Sequence, residues 1–264
     1  MFDEPSRLQM LTVDGRAVGV RTLDAYPPAN PKALPVVLLH GLGCSADAWR
    51  PALGVLARRQ VDFPIFVPDM PGFGCSPGPK KALTIPELAD WLARLLDTLG
   101  IPQAHFAGNS LGGQVLLALA RRHPARVGRL VLVGSTVGGQ YISLARYAAG
   151  LVLDGIQEPL RYTAVLSRMY AQMGFVRYME TTLAMIEDEP LEHICEVQSP
   201  CLVLRGDRDG IIPDPVARRL AAALPNGQFR RLSGSAHAME FTRPREFAEV
   251  ALSFWAGHAA ENAQ

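Results

Sequence analysis

Ala104-His105-Phe106-Ala107-Gly108-Asn109-Ser110-Leu111-Gly112-Gly113-Gln114-Val115-Leu116-Leu117-Ala118-Leu119-Ala120 is the stretch that decides the fold. Residues 104–107 read as a short strand. The helical stretch that follows covers about 111–122. Between them stands Gly-x-Ser-x-Gly, on a strand-to-helix turn. Such a turn forces the serine into a strained backbone conformation. It also crowds the residues two before and two after the serine, so both must be small. Both are glycine here, Gly108 and Gly112, and Gly113 adds room. Ser110 would then sit at a helix N-terminus, where the dipole and free N–H groups favour an oxyanion.

Outward from this turn, strands and helices alternate. Two β segments, about 7–14 and 16–24, are joined at Asp14-Gly15, a strong hairpin turn signal. Leu34-Pro35-Val36-Val37-Leu38-Leu39 is a continuous apolar run of the kind covered on both faces. A helical stretch at about 45–59 and a strand at Phe63-Pro64-Ile65-Phe66-Val67 follow. Residues 84–99 predict a helix, with Thr84 as cap and Glu87 three residues later. Its apolar positions Leu88, Trp91, Leu92, Leu95, Leu96 and Leu99 recur at helical spacing. Leu130-Val131-Leu132-Val133 and Cys201-Leu202-Val203-Leu204 are further buried strands, with a last strand near 228–232. Helices are expected at about 214–223 and 244–256. The repeated alternation predicts an α/β fold, a mainly parallel sheet with helices on both faces.

The alternation fails between 138 and 198. That segment is helical in pattern and holds five of the six tyrosines and four of the eight methionines. Tyr162, Val165, Leu166, Met169 and Met173 share one helical face. Such a soft apolar face is expected to cover a pocket. Tyr141, Tyr162, Met169, Met173 and, beyond the segment, Met239 are therefore candidate substrate-binding residues. The expected division is a core of residues 1–137 and 199–264 and a helical cap of 138–198.

A serine hydroxyl needs a base. His105, His123, His193 and His258 fall in structural or surface contexts. His237 lies in Gly234-Ser235-Ala236-His237-Ala238-Met239-Glu240, after the last strand and before the last helix. That places it at the C-terminal edge of the sheet, beside Ser110, where open α/β sheets bind ligands. The acid that orients the base is expected in Gly206-Asp207-Arg208-Asp209-Gly210, at the same edge. Asp209 is preferred, because Asp207 comes early enough to be engaged in the turn itself. The end of strand 130–133 reads Gly134-Ser135-Thr136-Val137 and offers no carboxylate. Two backbone donors should hold the oxyanion, Leu111 N–H and Leu42 N–H, the latter from His40-Gly41-Leu42-Gly43.

These stretches, with Asp69-Met70-Pro71-Gly72-Phe73-Gly74-Cys75-Ser76 and Gly206-Asp207-Arg208-Asp209-Gly210-Ile211-Ile212-Pro213, resemble the α/β-hydrolase superfamily. The branch resembled is that of capped carboxylesterases and meta-cleavage-product C–C hydrolases. The resemblance implies the α/β-hydrolase fold: an eight-stranded mainly parallel sheet with a helical cap inserted after strand six, and no cofactor. Haloalkane dehalogenases and epoxide hydrolases carry Asp where Ser110 stands, which argues against both. The C–C hydrolases share Gly-Asn-Ser-x-Gly-Gly but usually have Trp where this chain has Ala238. The Asp69 loop is expected to be a structural turn.

Composition removes other classes. With 26 basic and 25 acidic residues the net charge is +1, which gives no electrostatic case for nucleic acid or an anionic membrane. No run of 18 apolar residues exists, so no membrane span is expected. The polar N-terminus and four cysteines without a Cys-x-x-Cys pair fit a cytoplasmic protein. No His-Glu-x-x-His or other ligand spacing points to a metal. Gly41-Leu42-Gly43-Cys44-Ser45-Ala46 with Asp69 mimics a dinucleotide fingerprint, so an NAD(P)-binding oxidoreductase is one rival. A binding protein that has lost catalysis is another. The expected activity is hydrolysis of a small-molecule carboxylic ester or thioester with an apolar acyl or aromatic group. It would pass through an acyl-enzyme on Ser110, with C–C hydrolysis as the alternative.

Overall fold

The computed structural model describes residues 5–27, 30–139 and 143–258. Its centre is an eight-stranded sheet in the order β1-β2-β4-β3-β5-β6-β7-β8. The strands are β1 Arg7–Val13, β2 Arg16–Leu23, β3 Val36–Leu39, β4 Ile65–Pro68, β5 Ala104–Asn109, β6 Val127–Val133, β7 Cys201–Gly206 and β8 Gly227–Leu232. The β1–β2 and β2–β4 pairs are antiparallel, and every other pair is parallel. The β1–β2 turn puts both Asp14 and Gly15 at positive φ, +50° and +74°, as a two-residue hairpin loop of mirror-image type requires. Strands expected from 34 and 63 begin at Val36 and Ile65 instead. Pro35 and Pro64 stand just ahead of them and have no N–H to add to a ladder.

Helices cover both faces. They are α1 Arg50–Arg58, α2 Ile85–Thr98, α3 Leu111–Arg122, α7 Asp214–Ala223, a short α8 Met239–Thr242 and α9 Pro244–Trp255. Between β6 and β7 come α4 Leu144–Gln157, α5 Leu160–Met173 and α6 Phe175–Glu187. The expected helix at 45–59 opens instead as a tight 3₁₀ turn, Ala46–Trp49, ahead of α1. Strand residues alternate between two cores. Val37, Leu39, Phe106, Leu130, Leu132 and Val203 pack with α2, α3 and α7. Val36, Leu38, Ala107, Val131, Leu202 and Leu204 pack with α1 and α9. Buried strands with both faces apolar are what a central parallel sheet demands. The Thr84–Glu87 capping box starts α2 as expected, and each side chain bonds the other's backbone N–H.

The regular structure between β6 and β7 is all helical, with no strand among its described residues. It lies over the C-terminal edge of the sheet, where α4 and α5 reach the loops after β3, β5, β7 and β8. No helix among the described residues is long and apolar enough to cross a membrane.

Candidate active site

Ser110 is held by the turn in the conformation that its motif demands. Its φ is +52° and its ψ −116°, outside the regions favoured by residues with a side chain. A Cβ on Gly108 would lie 2.6 Å from Gly112 C, and one on Gly112 would lie 2.6 Å from Leu39 O. Neither position has room for any other residue. The loop after β3 passes just as close, since a Cβ on Gly41 would fall 3.3 Å from Ser110 Cβ. Leu42 is thereby brought beside the serine, and Leu111 opens α3 directly after it.

The expected base and acid, His237 and Asp209, form a buried pair. His237 Nδ1 donates to Asp209 Oδ2 at 2.9 Å. The other oxygen, Oδ1, accepts from the N–H groups of both Ile211 and Ile212 at 2.9 Å. Both carboxylate oxygens are therefore occupied and the group is locked in place. Asp207 is exposed, and its Oδ1 accepts from Ser235 N–H at 3.1 Å, so it holds the turn. Of the two candidate acids, Asp209 is the one hydrogen-bonded to His237. Gly134, at the end of β6, makes space for the pair: a Cβ there would come within 2.9 Å of the imidazole and 3.0 Å of Asp209 Oδ2.

Electrostatics favours the charged imidazole. Burial disfavours it, but the charge and hydrogen bond of Asp209, with the charges of Asp154 and Glu240, outweigh burial and raise His237 to about 9. Burial pushes the carboxyls of Glu158 and Glu240 up, to about 7 and about 8, with neighbouring acids adding to the rise. Burial also pushes the Cys44 thiol up to about 12, which leaves it a poor nucleophile beside Ser110.

Ser110, His237 and Leu42 line one cavity of about 70 Å³. Its walls include Tyr147, Asp154 and Glu158 from α4 and the turn after it, Tyr162, Leu166 and Tyr170 from α5, and Ile211. A larger cleft of about 300 Å³ between α3 and the 187–193 stretch contains neither Ser110 nor His237.

Of the expected substrate-binding residues, Tyr162 lines the cavity. Met169, Met173 and Met239 do not, and those expectations are corrected. The cavity stripe on α5 is Tyr162, Leu166 and Tyr170, every fourth residue. Met169 packs on Cys44 and Ala48, where its sulfur accepts from Ser45 Oγ at 3.2 Å. Met173 joins the core shared with α2 and α3, and Met239 the core beneath α9. Tyr141 lies outside the described residues.

The sequence reading missed several residues. Arg205, buried on β7, braces the acid loop by donating to Ile212 O, Gly206 O and Asp209 O at 2.7, 2.6 and 2.9 Å. Its signal was a lone arginine at the end of an apolar strand. Asn109 Nδ2 donates to His237 O at 3.2 Å, linking the serine turn to the base loop. Tyr170 lies so close to Gly43, at φ +73°, that a Cβ on Gly43 would run into its ring. His40 is buried; its Nε2 accepts from Met70 N–H at 3.0 Å, so Nδ1 carries the proton and donates to Gly41 O at 2.9 Å.

Asp69 is a structural residue, as expected. Its Oδ1 accepts from Ala46 N–H at 2.7 Å and its Oδ2 from Cys75 N–H at 2.8 Å. With both oxygens engaged by backbone, it has no free edge for a ribose, and the dinucleotide reading loses its acid.

Known proteins bear the same stamp. The family model described as alpha/beta hydrolase fold matches residues 35–168. A 2-hydroxymuconate semialdehyde hydrolase of Pseudomonas putida is 30% identical over 251 residues, 85% of this chain and 88% of that protein. A protein of Yersinia enterocolitica named as carbamate hydrolase RutD is 30% identical over 248 residues, with the same 85% and 88%. The crystal structure of an enol-lactonase from Burkholderia xenovorans LB400 superposes with a TM-score of 0.75 at 23% identity, over 94% of this chain and all of that one. The chain belongs to the alpha/beta hydrolase fold family and is a hydrolase.

Proposed function

We propose that this hydrolase cleaves neutral carboxylic esters or close acyl analogues through an acyl-enzyme on Ser110. The observation that carries the reading is the Asp209–His237 hydrogen bond at the wall of the cavity that also contains the strained Ser110. His237 takes the Ser110 proton as the hydroxyl attacks the substrate carbonyl. The Leu42 and Leu111 N–H groups receive the oxyanion. The leaving alcohol departs with the proton from His237. Water, deprotonated by His237, then releases the acid and restores the serine. Asp209 keeps the imidazole turned with Nε2 toward the reaction. Residues 138–198 act as the cap that shields these steps.

The cavity wall supports a neutral acyl group. Tyr147, Tyr162, Leu166 and Tyr170 offer apolar surface with polar edges, and no Lys or Arg stands among the described lining residues. Two carboxylates, Asp154 and Glu158, do. A substrate with its own carboxylate would meet these two carboxylates with no described Lys or Arg side chain to pair with it. This weighs against a dienoate of the kind that a 2-hydroxymuconate semialdehyde hydrolase is named for. A neutral carbamate fits the same machinery.

The test is a panel of p-nitrophenyl esters of rising acyl length, a thioester, a carbamate and one ring-cleavage dienoate. Neutral acyl substrates should turn over and the dienoate should not; the reverse result overturns the reading. Ser110→Ala should lower kcat by about 10⁶ and abolish labelling by a fluorophosphonate. The base works only when neutral, so kcat/KM should rise with pH and level off above about 9. A plateau already reached at pH 6 contradicts that electrostatic picture.

A further inference from the structure

The helical insertion is fastened to both loops that carry the acid–base pair. At Gly150 and Gly210 the backbones of α4 and the acid loop nearly touch: a Cβ on Gly150 would lie 2.8 Å from Gly210 O, and one on Gly210 3.1 Å from Asp154 N. One turn on, Asp154 Oδ1 accepts from His237 N–H at 3.0 Å and from Gly210 N–H at 3.4 Å. At the C-terminal cap of the helix, Glu158 Oε1 accepts from Ala238 N–H at 3.2 Å. Both carboxylates are buried. Burying a carboxylate is costly unless it gains strong partners, and α4 has apolar residues to spare. Val152, Leu153 and Ile156 all face solvent. The acids occupy the inner face because the base loop presents backbone donors to them.

We propose that Asp154 and Glu158 are positioning residues for the base, tying the seated insertion to the backbone of His237 and Ala238. The proposal rests on the serine-hydrolase reading above. The His237 peptide is gripped from two sides, its N–H by Asp154 and its C=O by Asn109 from the serine turn. Asp209 fixes the imidazole itself. Hydrogen bonds from backbone N–H to a carboxylate are directional and stronger than neutral ones, so they set where the loop stops rather than merely holding it down. Without the insertion the loop would lose two of its acceptors at once, leaving the imidazole held by Asp209 and the Asn109 contact alone.

The groups that face His237 define the electrical signature. Asp209 comes from the loop after β7, Asp154 and Glu158 from α4 and its cap, and Glu240 from α8. Tyr147, Tyr162, Tyr170 and Cys44 share the cavity with it. Asp154 adds negative charge beside the imidazole, and that favours its protonated form. Replacing the carboxylate by an amide removes this pull while leaving an oxygen acceptor. The imidazole should then lose its proton at lower pH.

The experiment uses the full chain, p-nitrophenyl acetate and the variants Asp154→Ala, Glu158→Ala, Asp154→Asn and Glu158→Gln. The alanine variants should lose about ten- to a hundredfold in kcat with KM little changed, as a broken charge-assisted bond implies. The amide variants should recover most of kcat above pH 9. In Asp154→Asn the acid limb of kcat/KM and the NMR titration of the His237 imidazole should both move to lower pH. Folded alanine variants with wild-type kcat overturn the proposal. So do amide variants as impaired as alanine with an unmoved His237 titration. If the alanine variants fail to fold, the amide variants decide by the same two criteria. The NMR titration needs no turnover, so it reads the ties even if the wild type proves inactive on esters, an outcome that strikes the serine-hydrolase reading instead.

Discussion

Helices α2 and α4 are each fourteen residues long and have opposite sidedness. Helix α2 turns Leu88, Trp91, Leu92, Leu95 and Leu96 inward, as its apolar stripe directs. Helix α4 turns Tyr147, Gly150 and Asp154 inward and leaves Ile156 78% exposed and Val152 65% exposed. The first helix is placed by the hydrophobic effect, which rewards area and is indifferent to direction. The second is placed by close backbone approach and by hydrogen bonds to the loops of the active site. A helix inverted in this way contributes less to the core than its composition suggests, and its seating is more readily reversed. The difference assigns stability to the buried stripe of α2 and, on the proposal above, rate to the inner face of α4.

That separation can be broken by experiment. The largest effect should come from Asp209→Asn, in the loop against which α4 rests. It should lower kcat by about 10⁴ by favouring the wrong imidazole tautomer, as measured by steady-state kinetics. If Asp207→Asn does so instead, the assignment of the acid is wrong. Leu92→Ala, on the buried stripe of α2, should destabilise the chain by about 2–5 kcal/mol while kcat per folded molecule stays unchanged. Denaturant unfolding with parallel kinetics measures both, and a specific loss of kcat would blur the distinction. Thr84→Ala removes the cap of the same helix and should cost about 1 kcal/mol, again without a kinetic effect. Smallest of all, Ile156→Ser on the outer face of α4 should stay within about 0.5 kcal/mol of wild type. A large melting shift there would show that this apolar face is covered after all.

Residues that obey regular periodicity were legible in the sequence. The Gly-x-Ser-x-Gly turn, the buried strands, α3 and α7 follow from patterns of one or two turns, where local chemistry and tertiary packing agree. The Asp209–His237 pair was legible because each residue lies in a loop at the strand ends. The cavity wall was not. A stripe on α5 drawn through Met169 and Met173 is only a small rotation from the true stripe through Leu166 and Tyr170. Periodicity does not resolve such a rotation when both stripes are apolar. Asp154 and Glu158 were hidden for a deeper reason. Their acceptor role depends on backbone N–H groups about 80 residues further along the chain, and an acid on a helix reads locally as a solvated face. Arg205 was hidden likewise, since its partners are carbonyls of a loop whose path the sequence does not draw.

The fit between Gly43 and the Tyr170 ring has a consequence for how the insertion is seated. A methyl group at position 43 would collide with the Tyr170 ring and strain a backbone held at φ +73°, so α5 can sit this low over the loop that carries Leu42 only while this residue is glycine. The bare α-carbon there sets how near the insertion comes to the floor of the cavity.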